Sequence, residues 1–441
     1  MPGGNGNTRM RMDTMRGQKE ILVIEEAGAV VIGSGALGAS TAFHLAALGQ
    51  QGVVLVDRHE LASQTSPRAA GLTQQIRPES DMTRLAMLSV QKIVRFTEET
   101  GEPMVSYQSG SVKMARTDAD ERQVRAEIDA GRGLGLDIHE ISAHDLARLT
   151  PFARAEGVRA MWYTPSDLYL EPVQIPLGYA RGAERLGAAL LPNTTVTAIE
   201  TRDGGVSRVM TSRGAIRTPI VVDAAGAWAR LVGEQLGIRV PIVPVRHQLM
   251  ITEPITGVET TQPICRVIDA NVYVRPEKGG LMLGGYEQDP HAYDMNGVLA
   301  GFQINDLPLD ITVLRSLAEL VREQFPVLQD APVREHRGGL PTMTADGRHI
   351  VGPVPGVRGF YAATGCCVGG LSISPAVGQM LAELILTGTS SVPLDQLAMS
   401  RFGPDLASDA QLRAACLSTY THQYSGGWSV ATESAALHVS S

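Results

Sequence analysis

Cysteine is scarce in this sequence, four in 441 residues, and two of the four are adjacent (Cys366 and Cys367). That excludes a disulfide framework and a spaced thiolate metal site, and it points to a reducing, cytoplasmic compartment. Long apolar runs are missing too. No stretch approaches the roughly 20 apolar residues that cross a bilayer, so membrane insertion is not expected. The opening Met1–Glu20 has no apolar segment of the secretory kind, and residues 1–24 read as a disordered leader. Basic charge is in deficit, with 38 Lys+Arg against 46 Asp+Glu and a net charge of −8. Nucleic acid and acidic lipid are therefore not expected as partners. No internal repeat is visible.

What is present is an ordinary globular composition, 44% hydrophobic and 19% charged, in a chain too long for one comfortable core. Glycine (47) and proline (25) are plentiful without a period, as many short strand-to-helix turns require. Ala27–Ile32 is an apolar run, Ala36–Leu48 reads as a helix and Gly52–Val56 as a second strand, an order that demands a parallel pair with a right-handed crossover. Ala86, Val90, Ile93 and Val94 mark the buried face of another helix. A charged helix around Asp120–Arg132 is expected at the periphery. Short strands return at Thr195–Glu200, Val206–Thr211 and Ile220–Asp223. From Ile242 to Tyr286 the segments lengthen (His247–Thr252, Asn271–Arg275, Gly280–Gly284), as in an antiparallel sheet of a second domain. Ile311, Leu314, Ala318, Val321 and Phe325 mark a helix that Pro326 closes. The predicted class is α/β (α+β overall), a Rossmann-like parallel sheet beside a mixed or antiparallel one. Beyond Pro404 the sequence is polar and Ser-rich, and 404–441 reads as a tail.

The strongest local signal is Gly33-Ser-Gly35-Ala-Leu-Gly38 between a strand and a helix. Its glycines serve a tight turn, close approach of backbone to a pyrophosphate, and close helix–sheet contact. The helix N-terminus adds free N–H groups and partial positive charge. Asp57 ends the second strand, where a carboxylate can bind ribose hydroxyls. That pattern fits either FAD or NAD. Later segments favour FAD. Ile220–Val222 runs into the small residues Asp223-Ala-Ala-Gly226-Ala-Trp228. Phe360–Thr364 runs into Gly365-Cys-Cys-Val-Gly-Gly370, then a helix expected to start at Ser374 with Pro375 at its first position. A second helix N-terminus in one cleft would stabilise the negative charge of a reduced isoalloxazine.

With these loops, Thr65-Ser-Pro-Arg-Ala-Ala-Gly-Leu72, Asp167-Leu-Tyr-Leu-Glu-Pro172, Val245-Arg-His-Gln-Leu-Met-Ile-Thr-Glu253, Tyr273-Val-Arg-Pro-Glu, Gly279–Tyr286 and Thr364–Gln379, the chain resembles the D-amino-acid-oxidase-like flavoproteins. It is similar in particular to the branch holding dimethylglycine and sarcosine dehydrogenases and 4-methylaminobutanoate oxidase. The resemblance implies a discontinuous FAD domain (25–95, 150–240 and 335–400) roofed by a substrate domain (96–149 and 241–334). It also implies FAD contacts at Gly33, Gly35, Ala36, Leu37, Gly38, Asp57, Arg58, Ser66, Ala69, Ala70, Gly71, Leu72, Val196, Gly226, Gly365, Val368 and Gly370. His247 and Tyr273 match residues lining the substrate side of the flavin, Tyr273 to orient the substrate and His247 to assist amine deprotonation from a pKa near 6.5. The alternative for each is an ordinary sheet residue. Arg77 falls where relatives hold a substrate carboxylate, and Arg275 lies two residues past Tyr273; bidentate pairing favours Arg in that role, and a structural ion pair is the alternative for both.

The departures from the family are informative. Arg68 stands where the dimethylglycine branch carries its flavin-linking His, and no Cys lies in Gly338–Asp346, so FAD is expected to be non-covalent. Met282 replaces an oxygen-activating Lys, which leaves oxygen or another acceptor open. Ser372 replaces the Lys of a carboxylate clamp, which argues against sarcosine itself. The chain stops before the folate domain of the dehydrogenases, so an aldehyde product would be released or handed over elsewhere. The expected function is hydride removal from a carbon next to nitrogen in a small secondary or tertiary amine or N-alkyl amino acid, including N-demethylation, followed by imine hydrolysis. The alternatives are the flavin-binding subunit of a hetero-oligomeric amino-acid or opine dehydrogenase, and a non-flavin NAD enzyme.

Overall fold

The computed structural model describes residues 10–13, 21–299, 301–403 and 408–424. Six short strands form the first sheet in the order Ala189–Leu191, Val53–Val56, Ala29–Ile32, Val221–Asp223, Phe360–Thr364 and Ile350–Pro353; all neighbours are parallel except the last pair. Both faces are buried, and so the strands read as unbroken apolar runs. Ala29, Val31, Val53 and Leu55 point to one side, where helices Ala36–Ala47, Ser80–Val94, Gln174–Arg185 and Gly370–Thr387 pack. Val30, Ile32, Val54 and Val56 point to the other, against the antiparallel meander Val196–Arg202, Gly205–Thr211 and Gly214–Arg217.

The second sheet has eight strands, in the order Val333–Gly339, His247–Thr252, Gly280–Gly285, Val272–Glu277, Ile264–Val267, Ser111–Ala115, Ala160–Thr164 and His139–Glu140. It is antiparallel except where Ile264–Val267 pairs parallel with Ser111–Ala115. Strand alternation gives it two different faces. Val112, Met114, Val267, Val272, Val274, Leu281 and Leu283 face an apolar layer closed by helix Ile311–Leu320. The opposite face carries Tyr273, and on the flanking strand Arg266 sits directly across from it. The helix Ile311–Leu320 stops short of Pro326, although Val321 and Phe325 remain fully buried.

Several expectations are corrected. Ala160–Thr164 and Val333–Gly339 belong to the eight-stranded sheet, although 150–240 and 335–400 read as the FAD domain. The first is an apolar run that composition cannot tell from a parallel strand; the second is an edge strand rich in charge. The helix around Asp120–Arg132 spans Asp118–Gly133, and it is not peripheral. Val124 and Ile128 are buried in it, and Glu127 takes the ammonium of Lys113 at 2.6 Å. Val94, at the end of its helix, is 57% exposed. Met10–Asp13 pairs antiparallel with Ile21–Ile24 within the expected leader, whose residues 1–9 and 14–20 lie outside the described residues. The expected tail contains the helix Asp409–Thr421, capped by Ser408 in a box with Gln411; 404–407 and 425–441 lie outside the described residues.

The late helix also differs from expectation. It begins at Gly370, four residues before Ser374, and takes Pro375 into its interior. A proline there removes the N–H that would bond the carbonyl of Leu371. The Ser374 hydroxyl donates to that carbonyl instead (3.0 Å), while Ser89 Oγ donates to the Ile373 carbonyl and accepts from Ala376 N–H. By length and composition this helix could cross a membrane, against the expectation of no such segment, yet it packs in the core between two other helices. It crosses Ala36–Ala47 so closely that a Cβ on Gly378 would stand 2.2 Å from Ser40 Oγ. Gly378→Val is expected to wedge the two helices apart, with a loss of about 1–3 kcal/mol and of flavin content, read by thermal unfolding and absorbance. An unchanged midpoint would contradict this packing.

Candidate active site

Where the sheets meet lies a cavity of about 380 Å³ that reaches from the first glycine loop to the second sheet. Its wall contains Gly33, Gly35, Ala36, Leu37, Asp57 and Arg58 at one end. Ser66, Ala69, Ala70, Gly71 and Leu72 form one side, Val196 and Gly226 another, and Val368 and Gly370 belong to the second loop. The N-termini of helices Ala36–Ala47 and Gly370–Thr387 thus open on one space. Two expected cofactor contacts, Gly38 and Gly365, do not line it. A Cβ on Gly38 would lie 1.9 Å from the Gly33 carbonyl, and one on Gly365 2.7 Å from Thr344, so these glycines act behind the wall, in its turns.

The first loop is shaped as a cradle. Asp57 accepts from Ser34 N–H (2.7 Å), Ser34 Oγ (2.6 Å) and His59 N–H (2.8 Å), which fixes its carboxylate at the cavity edge. Ser66 Oγ accepts from Ala36 N–H at 3.0 Å. A Cβ on Gly35 would meet only Ser66 Oγ, at 3.3 Å, and otherwise open cavity. In the second loop Cys367 (φ 43°) and Val368 (φ 62°) hold left-handed backbone that side chains disfavour, a strain typical of ligand-binding turns. Cys366 and Cys367 are free thiols.

At the far end, Tyr273 reaches across Gly284 on the neighbouring strand, where a Cβ would sit 2.2 Å from its hydroxyl. That passage brings Tyr273 Oη within 3.0 Å of His247 Nε2, two strands away, and His247 Nδ1 lies 2.8 Å from Tyr420 Oη. His247 and Tyr273 both line the cavity. Burial pulls the His247 imidazole down to about 4, in place of the value near 6.5 expected of it, and pushes the Tyr273 phenol up. At neutral pH the imidazole is therefore uncharged and a weak base.

The two arginines part company. Arg275 is spent on structure: Nε donates to the Ala70 carbonyl (2.7 Å), Nη1 pairs with Glu277 (2.6 Å), and the guanidinium lies over Tyr169. It does not line the cavity, whereas Ala70, to which it is bonded, does, and the expected substrate contact is corrected to support of the Ala70 loop. Arg77 does not line the cavity either, but it forms no ion pair among the described residues, and its buried Nε has no hydrogen-bond partner among them. Its Nη2 lies 3.7 Å from the Cβ position of Gly369, beside the second helix N-terminus. Arg68 binds the carbonyls of Ser63 and Gln64 and the side chain of Asn305, and Met282 packs with Ala70, Leu249 and Ile251.

Residues 29–384 match the model of the DAO family, FAD dependent oxidoreductase. The chain belongs to this family. Among its relatives, it is 30% identical over 387 residues to mitochondrial dimethylglycine dehydrogenase of Mus musculus, covering 86% of this chain and 44% of that protein. It is 32% identical over 407 residues to mitochondrial sarcosine dehydrogenase of Homo sapiens, covering 90% and 44%. The chain thus spans less than half the length of these relatives. L-proline dehydrogenase from P. horikoshii superposes with a TM-score of 0.77 at 26% identity, over 86% of this chain and 98% of that one. FAD is the family cofactor, and the glycine cradle with open space before Gly35 fits its pyrophosphate.

Three site residues went unrecognised in the sequence. Tyr286 and Tyr424 line the cavity, and Tyr420 stands behind His247. Tyr286 packs against His247, Tyr420 and Tyr424, with ring centroids 5.1, 5.1 and 5.4 Å away. A signal did exist for the last two: the Ser408-x-x-Gln411 capping box followed by Leu412, Cys416, Tyr420 and Tyr424 at intervals of four.

Gly35→Val should abolish FAD binding and leave the unfolding midpoint of the flavin-free protein near wild type, because the added methyls enter cavity space. Full flavin content in the variant would contradict the cradle.

Proposed function

We propose that the chain oxidises a C–H bond next to nitrogen in a small secondary or tertiary amine or N-alkyl amino acid, using non-covalent FAD, with hydrolysis of the resulting imine. The observation that carries this reading is one cavity lined by residues of both glycine loops and by the Tyr273–His247 pair. FAD supplies the hydride acceptor. The chain's own task is to bind the amine neutral and aligned, since a protonated nitrogen has no lone pair to assist hydride departure. A wall of buried rings (Tyr286, Tyr424, Tyr273) excludes water and disfavours an ammonium without a counter-charge.

Tyr273 contacts the substrate, and His247, neutral and fixed on both nitrogens, orients Tyr273 in place of serving as base. Arg77 is the guanidinium for a substrate carboxylate, its Nε being without a partner among the described residues. Arg68 at the place of the flavin-linking His, occupied with backbone carbonyls, supports non-covalent attachment. The apolar packing of Met282 supports an acceptor other than oxygen. Cysteine usage supports a cytoplasmic site of action.

The test is anaerobic bleaching of the bound flavin by a panel of N-methyl amino acids, opines and cyclic imino acids. At least one class should bleach it, and acid precipitation should release all flavin into the supernatant. Tyr273→Phe should keep FAD and slow reduction by about tenfold, the equivalent of ~1.4 kcal/mol of barrier. Flavin that no member of the panel bleaches would overturn the reading.

A further inference from the structure

The C-terminal helix Asp409–Thr421 contributes to the site without touching the cavity through Tyr420. This side chain is fully buried, and its hydroxyl lies 2.8 Å from His247 Nδ1. Another group approaches the same hydroxyl: the carbonyl of Arg246 lies 3.3 Å away, within reach of its proton. A phenol has one proton to give. That proton has two acceptors, a ring nitrogen at 2.8 Å and a carbonyl at 3.3 Å, a length typical of a weak contact. The nitrogen takes it.

The consequence runs along the row. A neutral imidazole whose Nδ1 accepts must carry its proton on Nε2. Nε2–H then donates to Tyr273 Oη at 3.0 Å. The Tyr273 oxygen is thereby an acceptor on the His247 side, and its own proton is left to point into the cavity. Were the proton on Nδ1 instead, Tyr273 would give its hydrogen to Nε2 and offer the substrate a lone pair only.

We propose that Tyr420 is the positioning residue of this site: it fixes the Nε2–H form of His247, so that Tyr273 presents a hydrogen-bond donor to an acceptor atom of the substrate. The inference rests on the amine-oxidase reading only for the nature of that substrate. The segment bearing Tyr420 is tied down independently. Asn271 Nδ2 donates to the Thr421 carbonyl (2.9 Å), Asn271 Oδ1 accepts from Tyr424 N–H (3.1 Å), and Thr419 Oγ1 donates to the Ala345 carbonyl (2.8 Å). Loss of one hydroxyl should therefore leave the helix in place.

The experiment is nitrogen-15 NMR of the histidine-labelled holoprotein, with His247→Gln supplying the assignment, for wild type and Tyr420→Phe. Wild type should show the proton on Nε2. The variant should show a mixture of the two forms, with an unchanged unfolding midpoint and flavin content. Its substrate Kd from anaerobic reduction should weaken by the inverse of the Nε2–H fraction that remains, about twofold for an even mixture, and its limiting reduction rate should hold. An Nδ1–H imidazole in wild type overturns the proposal, as does a variant with the wild-type form and Kd. If no amine reduces the flavin, the proposed function fails, and the NMR result still decides the role of Tyr420.

Discussion

The structure depends on how closely two helices cross. Helix Ala36–Ala47 follows the first glycine loop and Gly370–Thr387 follows the second, and at Ser40 and Gly378 no side chain larger than hydrogen fits between them. Because they cross at that depth, both N-termini reach the same edge of the parallel sheet. The intervening strand Val221–Asp223 pairs on either side with the strands that feed the two helices. Two partial positive charges thus meet over one cavity, and every other part of the site is arranged about that meeting.

The second sheet supplies the opposite wall by having two unlike faces. Its apolar face is spent on the helix Ile311–Leu320, and its other face is released for chemistry. Side chains stand upright on a pleated surface, so His247 and Tyr273, on strands separated by a third, would not normally touch. Gly284 removes the obstacle between them, and the tyrosine lies down across it. The imidazole that results is held at both nitrogens and kept neutral by burial, suited to hold a direction and poorly suited to take a proton. The C-terminal helix completes the row from behind.

The first sheet was legible because burial on both faces writes an apolar run, and the glycine loops because close backbone approach leaves no substitute for glycine at Gly33 and Gly38. The position of His247 and Tyr273 on one wall was legible through the family motifs. Three features were hidden for physical reasons. Pro375 marks a helix start in most sequences, and here a serine from another helix repairs the interior it disrupts. Arg275 sits two residues from Tyr273 on the same face, and nothing in spacing tells that Glu277 and Ala70 claim it first. The helix bearing Tyr420 is neither polar nor apolar on average, with a narrow stripe of Leu412, Cys416 and Tyr420 that composition averages away.

The central claim is that both helix ends and the Tyr273 wall serve one bound flavin. A crystal structure of the FAD-loaded protein tests it directly. The account places the pyrophosphate on the backbone of Gly35–Leu37 and the isoalloxazine ring between the start of Gly370–Thr387 and Tyr273. A ring directed away from Tyr273, or a pyrophosphate held by other backbone, would contradict it.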